Sequence, residues 1–179
     1  MKICIVNPSR CGSTLLLSML ANKLKNFSVF YEIISHQGGL DLLNVDANII
    51  FKYQYLFANK SLNGADKYII ADRKNLDDWA YSSYMSFTNH HHHGKLTNKE
   101  YEYNEDDFLR HKENMLKLYK KSWIPERNRL LDNGADIVWY EDIKDKYKDR
   151  KIAFGNFRLV PVWSDFHKRQ GLSCTIYDC

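Results

Sequence analysis

Proline is scarce in this sequence, with 3 among 179 residues, and glycine stands at only 8. That excludes a collagen-like or low-complexity chain. Cysteine is sparse as well. Cys4, Cys11, Cys174 and Cys179 form no CxxC pair and no metal-ligand spacing, so structural zinc is not expected and the thiols are expected to be reduced, with Cys4 buried in a strand. No apolar run reaches the roughly 18 residues a membrane span requires. The opening "MKICIVNPS" lacks the apolar core and small-residue cleavage site of a secretory signal. These absences lead to the expectation of a cytoplasmic protein with no membrane partner.

Neither sign of charge dominates. The formal net charge is +4 and the isoelectric point is near 8.7, which suits an anionic ligand without requiring one. Nucleic-acid surfaces concentrate basic residues in a stripe with interleaved aromatics. Here Lys and Arg are scattered among Asp and Glu, as in "YEDIKDKYKDRK", and no nucleic-acid partner is expected. What the chain does have is a globular composition, 44% hydrophobic and 14% aromatic, at a length that suits one domain over 1–179.

Residues 3–7 ("ICIVN") are a short β-branched run, read as a strand buried on both faces. A helix over 13–25 follows, with Leu16, Leu17, Leu20 and Leu24 on one face. Further strands are expected at 27–34, 47–57, 66–73 and 136–140, and a helix at 76–87. Residues 88–99 read as a polar loop. A long helix is expected over 105–131, kinked or broken at Pro125. Residues 150–179 follow no clear pattern. Strands alternating with helices predict a three-layer α/β/α domain around a mainly parallel sheet, of the P-loop NTPase-like kind.

The stretch "NPSRCGSTLL" joins the first strand to the first helix. A helix N-terminus exposes unpaired amides and the positive end of the helix dipole, so a glycine-containing turn feeding it suits a phosphate-like anion. Gly12 allows close backbone approach, Ser13 and Thr14 add hydroxyl donors, and Arg10 supplies a fork that matches phosphate or sulfate oxygens. An ATP-binding loop would need G-x-x-x-x-G-K-[ST]. Here Ser13 follows Gly12 and Asn7 stands where the earlier glycine belongs.

"SRCGSTLL" resembles the 5′-phosphosulfate loop of sulfotransferases that use 3′-phosphoadenosine 5′-phosphosulfate (PAPS), with Cys11 where serine is common. A second segment, "IIADRKNLDDWAYSSYMSF", is similar to that family's 3′-phosphate motif, an Arg ending a strand and a Ser within the next helix. Arg73 and Ser82 stand nine residues apart. "VWYEDI" at 138–143 is similar to a late strand-to-helix segment of the same family, and "KRQG" at 168–171, containing Arg169, to its C-terminal basic segment. The pattern is similar to that of bacterial carbohydrate-type members, in a shorter chain.

The resemblance implies a sulfuryl transfer from PAPS to a small-molecule or carbohydrate hydroxyl, releasing adenosine 3′,5′-bisphosphate, with no metal. It implies that Arg10, Cys11, Gly12, Ser13, Thr14, Arg73, Ser82 and Arg169 bind the nucleotide, with Arg10 also stabilising the leaving group and Lys52 near the transferred group. The family's usual histidine base is missing from "KYQYLF". Glu32, placed like the base of carbohydrate-type members, is the first candidate for that role, and His36 the second. The short chain also implies reduced acceptor-binding elements, or their supply by another subunit of a homo-oligomer.

The four histidines at 90–93 are read as an exposed loop near the acceptor entrance, because consecutive loop residues rarely converge on one metal ion. Two other functions stay open at this point. A kinase-like phosphotransferase would bind magnesium ATP, against the missing loop lysine. A non-catalytic nucleotide-binding module would keep the PAPS pocket and transfer nothing.

Overall fold

The computed structural model describes residues 1–88 and 103–147. The loop expected over 88–99, its histidines at 90–93, the stretch 150–179, Arg169 and the two C-terminal cysteines lie outside the described residues, apart from Thr88. Among the described residues five strands form one sheet in the order β2-β3-β1-β4-β5. They are β1 (Lys2–Asn7), β2 (Ser28–Ile33), β3 (Ile49–Gln54), β4 (Lys67–Asp72) and β5 (Asp136–Trp139), and every pairing is parallel.

Helices cover both faces, giving the three-layer α/β/α arrangement that the alternation predicts. Side chains alternate along β1, and the two faces have different partners. Ile3 and Ile5 pack with Leu16 and Leu17 of α1 (Ser13–Lys23), with Leu20 and Leu24 partly buried beside them. Cys4 and Val6 face the other way, into a core built around Trp79, Tyr119, Trp123 and Leu130. The elements on that side are α2 (His36–Leu43), α3 (Tyr55–Ala58), α4 (Leu76–Thr88), α5 (Glu105–Leu118) and α6 (Ile124–Asp132), in chain order. The chain leaves β1 toward the β2 edge, whereas the β4 connection leads to β5. Right-handed crossovers therefore put α1 and α4 on opposite faces. The loops after β1 and β4 part at the carboxyl edge of the sheet, where parallel α/β proteins leave a crevice.

Three local readings are corrected. The third strand ends at Gln54 and a helical turn, α3, occupies the residues expected to continue it. Helix α2, between β2 and β3, was not among the expected elements. Its start is fixed by Ser35, whose hydroxyl accepts from the Gly38 amide at 3.0 Å, and both glycines are buried. The third correction concerns Pro125. It sits in the first turn of α6, where a missing N–H costs little. The helical passage is interrupted one turn earlier, by a π turn over Tyr119–Trp123.

That π turn serves a buried carboxylate. Asp72, fully buried at the end of β4, accepts from the Tyr119 hydroxyl at 2.9 Å on both oxygens and from Trp123 Nε1 at 2.9 Å. Arg127 donates to the same Oδ2 at 3.1 Å. In an uninterrupted α-helix, residues eight apart drift by about 80° around the axis. The wider turn offsets part of that drift and lets 119, 123 and 127 converge on one group.

Asn at position 72 keeps the shape but turns an NH₂ toward a ring of donors. Asp72→Asn is expected to lower unfolding free energy by about 3–5 kcal/mol, as when one partner of a buried pair is removed. A urea denaturation series checks this through a lowered midpoint with an unchanged slope.

Candidate functional site

The loop leaving β1 holds a conformation that few residues adopt willingly. Ser9 (φ 80°), Arg10 (φ 52°) and Gly12 (φ 70°) are all left-handed. For Ser9 and Arg10 this costs about 1–2 kcal/mol each, and the surroundings hold it in place. The Asn7 side-chain oxygen accepts from the Ser9 amide at 2.9 Å, and its nitrogen donates to the Tyr53 carbonyl at 3.2 Å. Trp79, from the opposite layer, donates its indole N–H to the Ser9 carbonyl at 2.9 Å. Strain held this firmly by neighbours is a mark of functional loops.

The loop delivers the chain to the start of α1, where no side chain caps the first turn. The first intrahelical bond runs from the Leu16 amide to the Gly12 carbonyl, so the amides at 13–15 point out of the N-terminus. Thr14 accepts a bond from Lys52 Nζ at 3.0 Å. Lys52 is 2% exposed, and its Nζ also lies 3.6 Å from Glu32 Oε1. The register between β2 and β3 shifts between Phe30 and Ile33, an irregularity of the kind that re-aims a side chain such as that of Glu32. Burial lowers the Lys52 pKa, Glu32 opposes that, and the Arg10 charge adds to it.

Arg10 reaches across the crevice to α4, where its Nε donates to Ser82 Oγ at 3.2 Å. Arg73 follows β4, with its guanidinium 4.1 Å from the centre of the Tyr140 ring. Its Nε is buried and has no hydrogen-bond partner, and among the described residues Arg73 has no ion pair. Desolvation of its packed part lowers the Arg10 pKa, and repulsion from Arg73 lowers it further against the pull of Glu32. Two neighbouring guanidiniums, with no ion pair to either among the described residues, suit a multiply charged anion.

Three expected residues sit differently from the rest. The Cys11 side chain is 1% exposed, and burial followed by the Asp72 charge pushes its thiol well up, so it offers an anion only its backbone. His36 opens α2, and none of the hydrogen bonds or ion pairs joining this cluster includes it. Ser82 meets Arg10 rather than Arg73.

Several residues important to the site were not singled out as site residues in the sequence. Asp72 anchors the Arg73 amide at 2.8 Å. Tyr140, at the start of α7 (Tyr140–Ile143), packs against Gly12: a Cβ there would sit well inside contact distance of the ring's Cδ2 edge. Both residues lie inside motifs the sequence did mark, "IIADR" and "VWYEDI", but side-chain direction could not be read from either.

The fold and the cluster define a class: a three-layer α/β protein with a cationic crevice at the carboxyl edge of its parallel sheet. Among the described residues no group of His, Cys, Asp and Glu is arranged to hold a metal ion, and no helix is long and apolar enough to cross a membrane. Compared with protein-family models, with curated proteins and with solved structures, the chain matches none of them.

Gly12→Ala adds a left-handed alanine and a clash with Tyr140. It is expected to destabilise by more than the roughly 1–2 kcal/mol of backbone strain alone. In a Tyr140→Ala background the same substitution should cost only that strain. Thermal and urea unfolding of the four chains of this cycle measure the difference.

Proposed function

We propose that this protein is a sulfotransferase that moves a sulfuryl group from PAPS to a hydroxyl acceptor, with a carbohydrate hydroxyl the favoured class. The observation that carries this reading is the bond between Arg10 and Ser82, which joins two motifs 72 residues apart into one cationic crevice. Unpartnered amides at the start of α1 and the buried, unpaired Arg73 Nε fit a ligand bearing two separate phosphate groups.

On this reading Ser13, Thr14, Arg10 and the amides after Gly12 hold the 5′ end of the nucleotide, and Arg73 with Ser82 holds its 3′-phosphate. Bound there, the donor supplies the sulfuryl group and a phosphate as leaving group. Arg10 and Lys52 stabilise the negative charge that develops as the leaving group departs. Glu32 takes the proton of the attacking hydroxyl. Lys52, bonded to Thr14 and close to Glu32, links the base to the anion site at fixed geometry. Cys11 takes no part as a nucleophile, since burial keeps its thiol protonated.

Isothermal titration with adenosine 3′,5′-bisphosphate is expected to show binding without magnesium. Arg73→Ala should weaken it on the order of 10–100-fold, as for loss of a hydrogen bond to a charged group. Absence of binding, affinity unchanged by Arg73→Ala, or preferential binding of magnesium ATP would each overturn the reading.

Glu32→Gln separates catalysis from binding. It should retain bisphosphate affinity and slow transfer of labelled sulfate from PAPS to a panel of sugar hydroxyls by about 10²–10⁴. A variant as fast as the parent chain removes Glu32 as the base, and a parent chain that binds but never transfers points to a binding module.

A further inference from the structure

Three consecutive amides after β4 are held by carboxylates. Asp72 Oδ1 accepts from the Arg73 amide at 2.8 Å. Glu141 then takes the next two: Oε2 accepts from the Lys74 amide at 3.0 Å and Oε1 from the Asn75 amide at 3.2 Å. Asn75 in turn caps α4, its Oδ1 accepting from the amides of Asp77 and Asp78. Glu141 is contributed by the segment after β5, a neighbour of β4 in the sheet but 66 residues away in sequence from Asn75. The residue before it, Tyr140, carries the Arg73 guanidinium on its ring and packs against Gly12. One dipeptide therefore touches both loops that border the crevice.

We propose that Glu141 is a positioning residue: by gripping the Lys74 and Asn75 amides it fixes the turn that aims Arg73 into the crevice and so sets selectivity for a ligand with a second phosphate. This rests on the nucleotide reading for the identity of the ligand, and on the contacts alone for the orientation of Arg73. Burial raises the Glu141 pKa, but the amides of Lys74 and Asn75 with the Arg73 charge outweigh it and hold the carboxyl below its ordinary range. The carboxylate is thus the form that makes the grip. Glu141 also lies at the N-terminus of α4, where negative charge is favoured. The neighbouring Lys74–Asp142 pair, at 2.6 Å, is exposed on both sides and adds little to that hold.

The test has two readouts, one of them independent of any nucleotide. In the first, titration compares adenosine 3′,5′-bisphosphate with adenosine 5′-monophosphate. Glu141→Ala should reduce the preference for the bisphosphate roughly tenfold, the scale seen when a supporting hydrogen bond to a binding residue is lost. Affinity for the monophosphate should stay within about twofold, and Glu141→Gln, which still accepts from amides, should restore most of the preference. In the second, the Arg73 Nε–H resonance, assigned with Arg73→Lys, should exchange slowly in the parent chain, faster in Glu141→Ala and slowly again in Glu141→Gln. If Glu141→Ala folds poorly, Glu141→Asp keeps the charge while shortening the reach, and is expected to behave as the alanine chain does.

A parent chain that binds neither nucleotide removes the nucleotide reading, and the resonance then decides alone. An Arg73 Nε–H signal unchanged by Glu141→Ala, or a phosphate preference unchanged where binding is seen, overturns the proposal.

Discussion

Much of this protein depends on one buried carboxylate. Asp72 is fully shielded from water, which is tolerable for a charge only when donors surround it. It has a phenol, an indole, a guanidinium and a backbone amide. These come from the π turn, α6 and the loop that begins with Arg73, so a single group ties the end of a central strand to the helical layer and to the rim of the crevice. The same requirement explains why the helical passage over 105–132 is not regular. The wider turn reduces the roughly 80° over which a uniform α-helix would spread Tyr119, Trp123 and Arg127, and so brings them closer to one line over the carboxylate.

With that anchor in place, the crevice can hold features that cost free energy. The β1 loop keeps Ser9 and Arg10 in left-handed conformations, and the Arg10 and Arg73 guanidiniums repel each other. Both are unfavourable in the absence of a ligand. Neighbours with alternatives of their own foreclosed, such as the buried Trp79 and Asn7, keep the loop as it is. A site preorganised in this way releases its repulsion when an anion arrives, which is how binding free energy and rate are both gained on the proposed reading. Lys52 belongs to the same economy. Burial alone would favour its neutral form, and Glu32 draws it back toward the charged form needed beside an anion.

The sheet was legible from the sequence because period and composition suffice for buried parallel strands: "ICIVN", "KYIIAD" and "DIVW" each stand within a residue or two of where the pattern puts them. The loop after β1 was legible as a candidate site too, since the chemistry of Arg10, Gly12, Ser13 and Thr14 is local. What the sequence withheld depends on direction and distance. The helix at His36–Leu43 contains two buried glycines, and at one of them close packing is the reason: a Cβ on Gly39 would press on Leu62. The π turn has no compositional mark, and Pro125 drew attention to the wrong turn. Asp72 looked like any acidic residue near a strand end, and only the fold reveals that 119, 123 and 127 close over it. Arg73 and Ser82 were expected to share one phosphate, and the bond from Arg10 to the Ser82 hydroxyl is a contact that a spacing of nine residues does not reveal.

The central claim is that the crevice between the β1 and β4 loops accommodates one ligand through two separate phosphate groups. A crystal structure of the chain with adenosine 3′,5′-bisphosphate tests it most directly. The account predicts the 5′-phosphate at the amides of Ser13 and Thr14 beside Arg10, the 3′-phosphate against Arg73, and Lys52 with Glu32 facing the position that a sulfuryl group would extend into. A nucleotide bound anywhere else on the chain, or a 3′-phosphate turned away from Arg73, would contradict it.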